Sequence, residues 1–303
     1  MSGTASIPNV FHFIFGLREQ TEPFHLMHYL CLRSCLDVMR PEAVHFHYQH
    51  EPHGPLWAEI RPRLVLHPID PVTPATGFSY QDAGMADFRY AHAADFLRLE
   101  ILIDEGGIYA DMDSLFLKPF PVDWHALPCI MGHEKAPAGA EGSLCNAMIG
   151  AAPGARFCRI WLEQMSAAFD GSWSNHSTLL PYRLAQAHPD LVHVEPESSF
   201  FALDWTPAGL EDLFTRSVSL PEKACSLHLW AHLWFDAGRR DFSVFSGDLL
   251  TVDYLAYART SYAQHARAFM PPGAEPSRLR YALQAALLGG RRLRQNLRRL
   301  WRR

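Results

Sequence analysis

The chain has 303 residues, 48% hydrophobic and 19% charged, with a formal net charge of −5. These proportions exclude a disordered or low-complexity chain, and the acidic balance argues against a nucleic-acid partner. Six cysteines without a Cys-x-x-Cys pair exclude a disulfide scaffold and cysteine-bound zinc, and no apolar run approaches the roughly 18 residues of a membrane-crossing helix.

The predicted elements alternate. Val10 to Phe15 reads as a buried strand, Phe24 to Met39 as a helix ended before Pro41, Val44 to Tyr48 and Leu64 to Ile69 as strands, and Asp70 to Gly84, rich in Pro, Thr and Gly, as a loop. A long helix over Met85 to Glu105 leads to a strand carrying Asp111 and Asp113, then to an apolar strand at Leu115 to Leu117. Further strands are expected at Cys129 to Gly132, Ala147 to Ala151, Val192 to Val194 and Ser226 to Trp230. Helices are expected at Ala155 to Phe169, Leu179 to Ala187 and Gly247 to Arg267. Such alternation implies an α/β fold with a mostly parallel sheet. His133 to Ser143 lacks periodicity and reads as a loop able to close over a ligand, or as an ordinary surface loop.

The chemistry concentrates between residues 95 and 113. Asp95 and Arg98 lie three apart on the long helix and share a face, Gly106 and Gly107 give the chain a left-handed exit, and a short apolar run delivers Asp111 and Asp113. In an extended segment those two carboxylates point to the same side and can share a divalent ion. Taken alone, an Asp-x-Asp is usually a solvated turn and an Asp-x-x-Arg pair a surface ion pair of a few tenths of a kcal/mol.

The stretch from Ala91 to Phe120 resembles the DXD-containing sugar-binding region of glycosyltransferase family 32 and its relatives, departing at Ala94, where Ser is usual. The run from Ile7 to Gly16 is similar to the family's first strand, and Ser226 to Trp234 to its late histidine segment, with Leu233-Trp234 in place of the usual Ser-Trp. The resemblance implies a GT-A type, Rossmann-like fold and a retaining hexosyltransferase that uses Mn²⁺ or Mg²⁺. Asp111 and Asp113 are the implied catalytic and metal-binding carboxylates and His228 the third ligand, with His232 its rival. Asp95, Arg98, Gly107, Tyr109, Asn146 and His12 are the implied substrate-binding residues, His12 bordering the nucleotide base. The implied donor is a UDP- or GDP-sugar, the acceptor a glycan or lipid-linked glycan, and the setting surface polysaccharide synthesis. No protein nucleophile is assigned, in keeping with a front-face displacement. The alternatives are a metal-dependent phosphohydrolase using the same carboxylates and a carbohydrate-binding protein without catalysis.

Residues 1–270 are expected to form the catalytic domain and 271–303 a basic, helical C-terminal extension. Arg291 to Arg303 holds seven arginines and no acid, with Leu293, Leu297, Leu300 and Trp301 on one helical stripe, a pattern suited to an anionic membrane surface or to a solvated terminal helix. The opening residues run directly into Pro8 and a strand, with no basic stretch ahead of a long apolar one, so no signal peptide is expected. The Asn175-His176-Ser177 sequon then carries no consequence. The resulting expectation is a cytoplasmic protein, peripheral at the inner face of the plasma membrane.

Overall fold

The computed structural model describes residues 6–70, 89–234 and 250–287. The expected membrane-binding tail beyond Arg291 and the loop at 71–84 lie outside these residues. Seven strands form one sheet in the order β3-β2-β1-β4-β7-β6-β8. They are β1 (Val10–Phe15), β2 (Ala43–Tyr48), β3 (Val65–Pro68), β4 (Gly107–Ala110), β6 (Cys129–Glu134), β7 (Ser143–Ala151) and β8 (His193–Glu195). The sheet is mostly parallel, as expected for this α/β fold, with β7 antiparallel to both β4 and β6.

Helices cover both faces at the centre of the sheet, so β4 and much of β7 are apolar runs, whereas β2 alternates apolar residues with His45 and His47. On β1, Phe11 and Phe13 join the core beneath helix α1 (Leu26–Ser34), while Ile14 faces a second core that includes Leu99 and Leu102 of helix α3 (Arg89–Asp104). Helix α2 (Pro55–Ile60), entered through Pro at its first turn, buries Trp57 and Ile60 against the first core. The expected helix to Met39 is α1 followed by one π turn at Cys35–Met39, closed by left-handed Arg40 (φ 48°). The single helix expected over Gly247 to Arg267 is instead two short ones, Val252–Tyr257 and Ser261–Ala266, each started by a threonine side chain accepting a backbone N–H. The part of that range before residue 250 lies outside the description.

The Gly106-Gly107 pair sets where the carboxylates emerge. Gly106 (φ 67°) accepts the helical exit, its N–H bonding Leu102 O at 3.0 Å. Gly107 (φ 104°) brings β4 so close to β1 that a Cβ there would stand 2.7 Å from Val10 O and 2.9 Å from His12 Nε2. Gly107 is therefore a packing position between strands, not a wall of the site.

A second sheet has two strands, β5 (Ser114–Phe116) and β9 (Ser226–His228), antiparallel with Ser114 opposite His228. This pairing carries the end of the chain's third quarter back to the end of β4. The strand expected to run on to Trp230 stops at His228, because Trp230 adopts φ 54° and Ala231–Trp234 coil into a 3₁₀ turn.

Candidate functional site

Asp111 and Asp113 do not lie on an extended strand. Strand β4 ends at Ala110, and residues 111–114 make a turn in which Ser114 N bonds Asp111 O at 3.1 Å. The two carboxylates converge nonetheless, because the β5–β9 pair sets His228 beside them. The ligand atoms of Asp111, Asp113 and His228 all lie within 4.8 Å of one another. His228 Nε2 stands 3.0 Å from Asp113 Oδ1 and 3.8 Å from Asp111 Oδ2.

The remaining carboxylate oxygens are committed elsewhere. Asp113 Oδ2 accepts the Ala231 N–H at 2.8 Å, a bond aimed by the left-handed Trp230, whose indole meets the His228 ring edge at 4.3 Å and donates to Leu203 O. Asp111 Oδ1 accepts the Tyr109 hydroxyl at 2.6 Å and faces Arg98 at 3.4 Å. Asp111 Oδ2, Asp113 Oδ1 and His228 Nε2 are thus the three atoms turned toward a common point. Two carboxylates and one imidazole suit Mn²⁺ or Mg²⁺, the nitrogen favouring Mn²⁺.

Asp95 and Arg98 are buried on α3 and paired at 2.9 Å. Asp95 is a hub: Asn146 Nδ2 donates to its Oδ1 at 2.7 Å and His176 Nε2 reaches its Oδ2 at 3.0 Å. Arg98 donates to Asn146 O at 2.7 Å and lies 4.5 Å over the Tyr109 ring. The predicted Asp95, Arg98, Tyr109 and Asn146 are therefore one connected network, which Arg98 and Tyr109 join to Asp111.

The electrostatics reflect crowding of acids in low dielectric. Burial, reinforced by Asp113, raises the Asp111 carboxyl above its ordinary value despite Arg98. For Asp113 burial acts the same way, but His228 and the Ala231 N–H outweigh it and hold the carboxyl well below the usual range. His228 is lifted by Asp113 and Asp111 against its own burial. Around Asp95, burial is overcome by Arg98 and His176, and the carboxyl is lowered. Two buried carboxylates, Asp95 and Asp113, and the half-buried Asp111 against one guanidinium leave a deficit that His228 or a cation must balance.

These groups line one cavity of about 380 Å³, the size of a small-ligand pocket. Its other walls include Phe15 and Gly16 of the first strand region, Trp173, Trp205, His232 and Glu134. His12 is not among them. It shares a sheet face with the cavity-lining Ile14 and Tyr109 but sits nearer the start of its strand, where its Nε2 meets Gly106 O at 2.9 Å and its Nδ1 meets His47 Nε2 at 3.2 Å. His232 faces the cavity but does not alternate with His228; the 3₁₀ turn stacks it on Trp173 at 4.7 Å.

Sequence reasoning missed His176 and Glu134. His176 was visible only as the middle of a sequon, yet its ring orients Asp95. Glu134 was placed in a loop but ends β6, opposite Ser143, whose hydroxyl donates to it at 2.6 Å. Burial raises its carboxyl above the ordinary value.

Residues 70–134 match the family model described as "Glycosyltransferase sugar-binding region containing DXD motif". This segment, which contains Asp95, Arg98, Asp111 and Asp113, identifies a DXD-containing glycosyltransferase sugar-binding region in the chain. Its relatives include Glucan organizing enzyme 1 of Cryptococcus neoformans var. grubii, 35% identical over 211 residues, which are 66% of this chain and 55% of that protein. The chain thus spans about half the length of that curated relative. Among solved structures, it is similar to the PaToxG glycosyltransferase (TM-score 0.41, 19% identity, 61% of this chain and 71% of that one). A second is the apo-form glycosyltransferase GlyE of Streptococcus pneumoniae TIGR4 (TM-score 0.45, 12% identity, 80% and 62%). No described helix is long and apolar enough to cross a membrane.

Proposed function

We propose that this protein is a metal-dependent retaining glycosyltransferase that moves a hexose from a UDP- or GDP-sugar to a glycan or lipid-linked acceptor in surface polysaccharide synthesis. One observation carries the reading: Asp111, Asp113 and His228 bring ligand atoms within 4.8 Å of one another in the cavity that Asp95, Arg98 and Asn146 also line. A glycan acceptor is in keeping with the printed name of the curated relative.

Asp111, Asp113 and His228 would hold Mn²⁺ or Mg²⁺, which as a Lewis acid stabilises negative charge developing on a departing diphosphate. The chain's own groups do the rest. Tyr109 and Arg98 fix one oxygen of Asp111 and Ala231 N–H fixes one of Asp113, so that the opposite oxygens are aimed without loss of rotamer freedom on binding. Arg98, already charged and buried, is placed to donate to sugar or phosphate oxygens, and Asn146 and Asp95 present hydrogen-bonding groups to sugar hydroxyls. Trp173 and Trp205 keep the cavity apolar enough to exclude water. We assign residues 1–270 to this catalytic unit and 271–303 to a basic extension that docks on anionic lipid at the inner membrane face.

A thermal-shift screen of UDP- and GDP-sugars with and without Mn²⁺ tests the reading, since a ligand that favours the native state raises its melting temperature. A Mn²⁺-dependent shift with one donor is expected, lost in Asp113→Ala. Release of phosphate from simple esters without any donor response would favour the phosphohydrolase, and glycan binding indifferent to EDTA and nucleotide the binding protein.

A further inference from the structure

On the sheet face opposite Phe13 and Phe46, four histidines gather across β1, β2 and β3. His12 lies on β1, His45 and His47 two apart on β2, and His67 opposite His47 on β3. Alternation makes this inevitable: Val44 and Phe46 enter the core beneath α1, so His45 and His47 face the other way. His67 stacks on His47 at 4.8 Å and packs 4.7 Å from His45, and its Nε2 is buried with no hydrogen-bond partner among the described residues. Four imidazoles in one patch are an expensive way to fill an apolar face, because each ring nitrogen taken from water needs a partner.

We propose that His12, His45 and His47 form a zinc-class metal site, separate from the Asp111–Asp113–His228 group. Ligand atoms of the three lie within 4.8 Å of one another. The separation of His12 Nδ1 and His47 Nε2 is 3.2 Å, close to the ~3.3 Å that two nitrogens ~2.05 Å from a tetrahedral zinc would have.

The tautomer of His12 is set by its surroundings. Gly106 O can only accept, so Nε2 of His12 carries the proton and Nδ1 turns its lone pair toward His47. A metal-bound imidazole is characteristically fixed by such an outer carbonyl. All three rings stay neutral at physiological pH, chiefly through burial, and so keep a lone pair to offer: His12 is lowered to about 4, His47 to about 3, and His45 is lowered as well. Glu105 sits at the rim, Oε2 3.2 Å from His45 Nδ1, where a carboxylate balances the cation's charge.

An entry path exists on the same side. The side chains of His45 and Glu105 are 19% and 44% exposed, whereas His12 is fully enclosed. Drawing the outer imidazole into coordinating distance requires only a small side-chain movement, which a partly exposed ring can make. Ligand chemistry separates the two sites: three imidazoles select zinc, cobalt or nickel, whereas the two-carboxylate group favours Mn²⁺ or Mg²⁺. The ion would tie β1 to β2 at the point where His12 also holds Gly106, and so brace the turn that delivers Asp111 and Asp113.

The test uses untagged full-length protein, stripped with EDTA and titrated with Co²⁺ and Zn²⁺, in wild type and in the double variant Asp111→Asn/Asp113→Asn. Both proteins are expected to develop the visible absorption of tetrahedral Co²⁺, displaced by Zn²⁺ at one equivalent, and to gain thermal stability with Zn²⁺. His45→Gln, at a partly exposed position, is expected to weaken Co²⁺ binding by more than about tenfold. His47→Gln should abolish it. Should His47→Gln not fold, His45→Gln alone decides. No tetrahedral band in wild type, or a band that His45→Gln leaves unchanged or that the double aspartate variant loses, overturns the proposal. Because the readout contains no nucleotide sugar, its failure leaves the transferase reading untouched.

Discussion

His228 Nε2 stands 3.0 Å from Asp113 Oδ1 although 115 residues separate them. Two devices produce the contact. The β5–β9 ladder sets Ser114 against His228, and Leu229 N then bonds Asp113 O at 3.0 Å, so main chain rather than the side chains themselves fixes the approach. A pair placed by backbone is positioned before any ligand arrives.

The first prediction concerns the third ligand. His228→Gln removes the imidazole that faces both aspartates, whereas His232 lies outside the cluster and stacks on Trp173. His228→Gln should lower donor turnover at least about a hundredfold and weaken Mn²⁺ binding, while His232→Gln changes KM more than Mn²⁺ affinity. Mn²⁺ titration of both variants by calorimetry decides; equal loss in the two would refute the assignment.

Arg98 bears on stability as well as on the site. Its side chain is 5% exposed and faces Asp95 at 2.9 Å and Asp111 at 3.4 Å. Arg98→Ala leaves the buried Asp95 and the half-buried Asp111 without their guanidinium, a cost of about 3 kcal/mol, set mainly by Asp95. Urea unfolding should show a loss of that order, and Arg98→Lys, which lacks the planar fork, should recover only part of it. A loss below about 1 kcal/mol in Arg98→Ala would mean that the network does not hold the aspartates.

How legible these features were depends on which forces are local. β1 was read with its observed limits because both its faces are covered, which leaves an apolar run, broken only by His12, bounded by Pro8-Asn9 and Gly16. The helix exit at Gly106-Gly107 was readable because only glycine accepts φ 67° and 104° there. The Asp95–Arg98 pairing followed from helical spacing. What stayed hidden was set by distant contacts. Nothing near Ser226 declares its pairing with β5, nothing near His176 declares Asp95, and the alternation argument for His232 failed because tertiary packing forces Trp230 to φ 54°. His12 was assigned to the nucleotide side by likeness to the first strand. Strand parity does put it on the face of Ile14, but the Gly106 and His47 contacts hold it near the start of β1, short of the cavity, and no motif records those contacts.

Gly107 offers a backbone test. Its φ of 104° and the 2.7 Å approach of a Cβ to Val10 O leave no relaxed position for a side chain, since the obstacle is main chain of the adjoining strand. Gly107→Ala should destabilise the fold by about 1–3 kcal/mol and shift the Asp111-Asp113 turn, lowering kcat as well. Gly139, with φ 85° but nothing within 4 Å of its Cβ, is the control: Gly139→Ala should cost only the strain of a left-handed alanine, about 1–2 kcal/mol, and leave kcat intact. Unfolding curves and initial rates of the two variants provide the comparison; equal penalties would contradict the strand-contact argument.

The buried histidines fix the pH dependence of stability. Burial lowers His12 and His232 to about 4 and His47 to about 3, whereas the unfolded chain titrates near 6.5. Below that value the unfolded state takes up protons that the native state refuses, so each of these groups costs stability as the pH falls from about 6.5 toward 4. The slope reaches about 1.4 kcal/mol per pH unit per histidine. Asp95, lowered in the native state, contributes in the same direction but only at and below the ordinary carboxylate range, and so stays out of this window. His228, raised in the native state, opposes this loss, but the three lowered histidines outnumber it, so in EDTA the unfolding free energy should fall between pH 7.5 and 5.5, and His47→Gln should flatten the fall by roughly 1 kcal/mol. Urea denaturation at the two pH values measures both quantities; a stability unchanged between them would show that these imidazoles are not held neutral by burial.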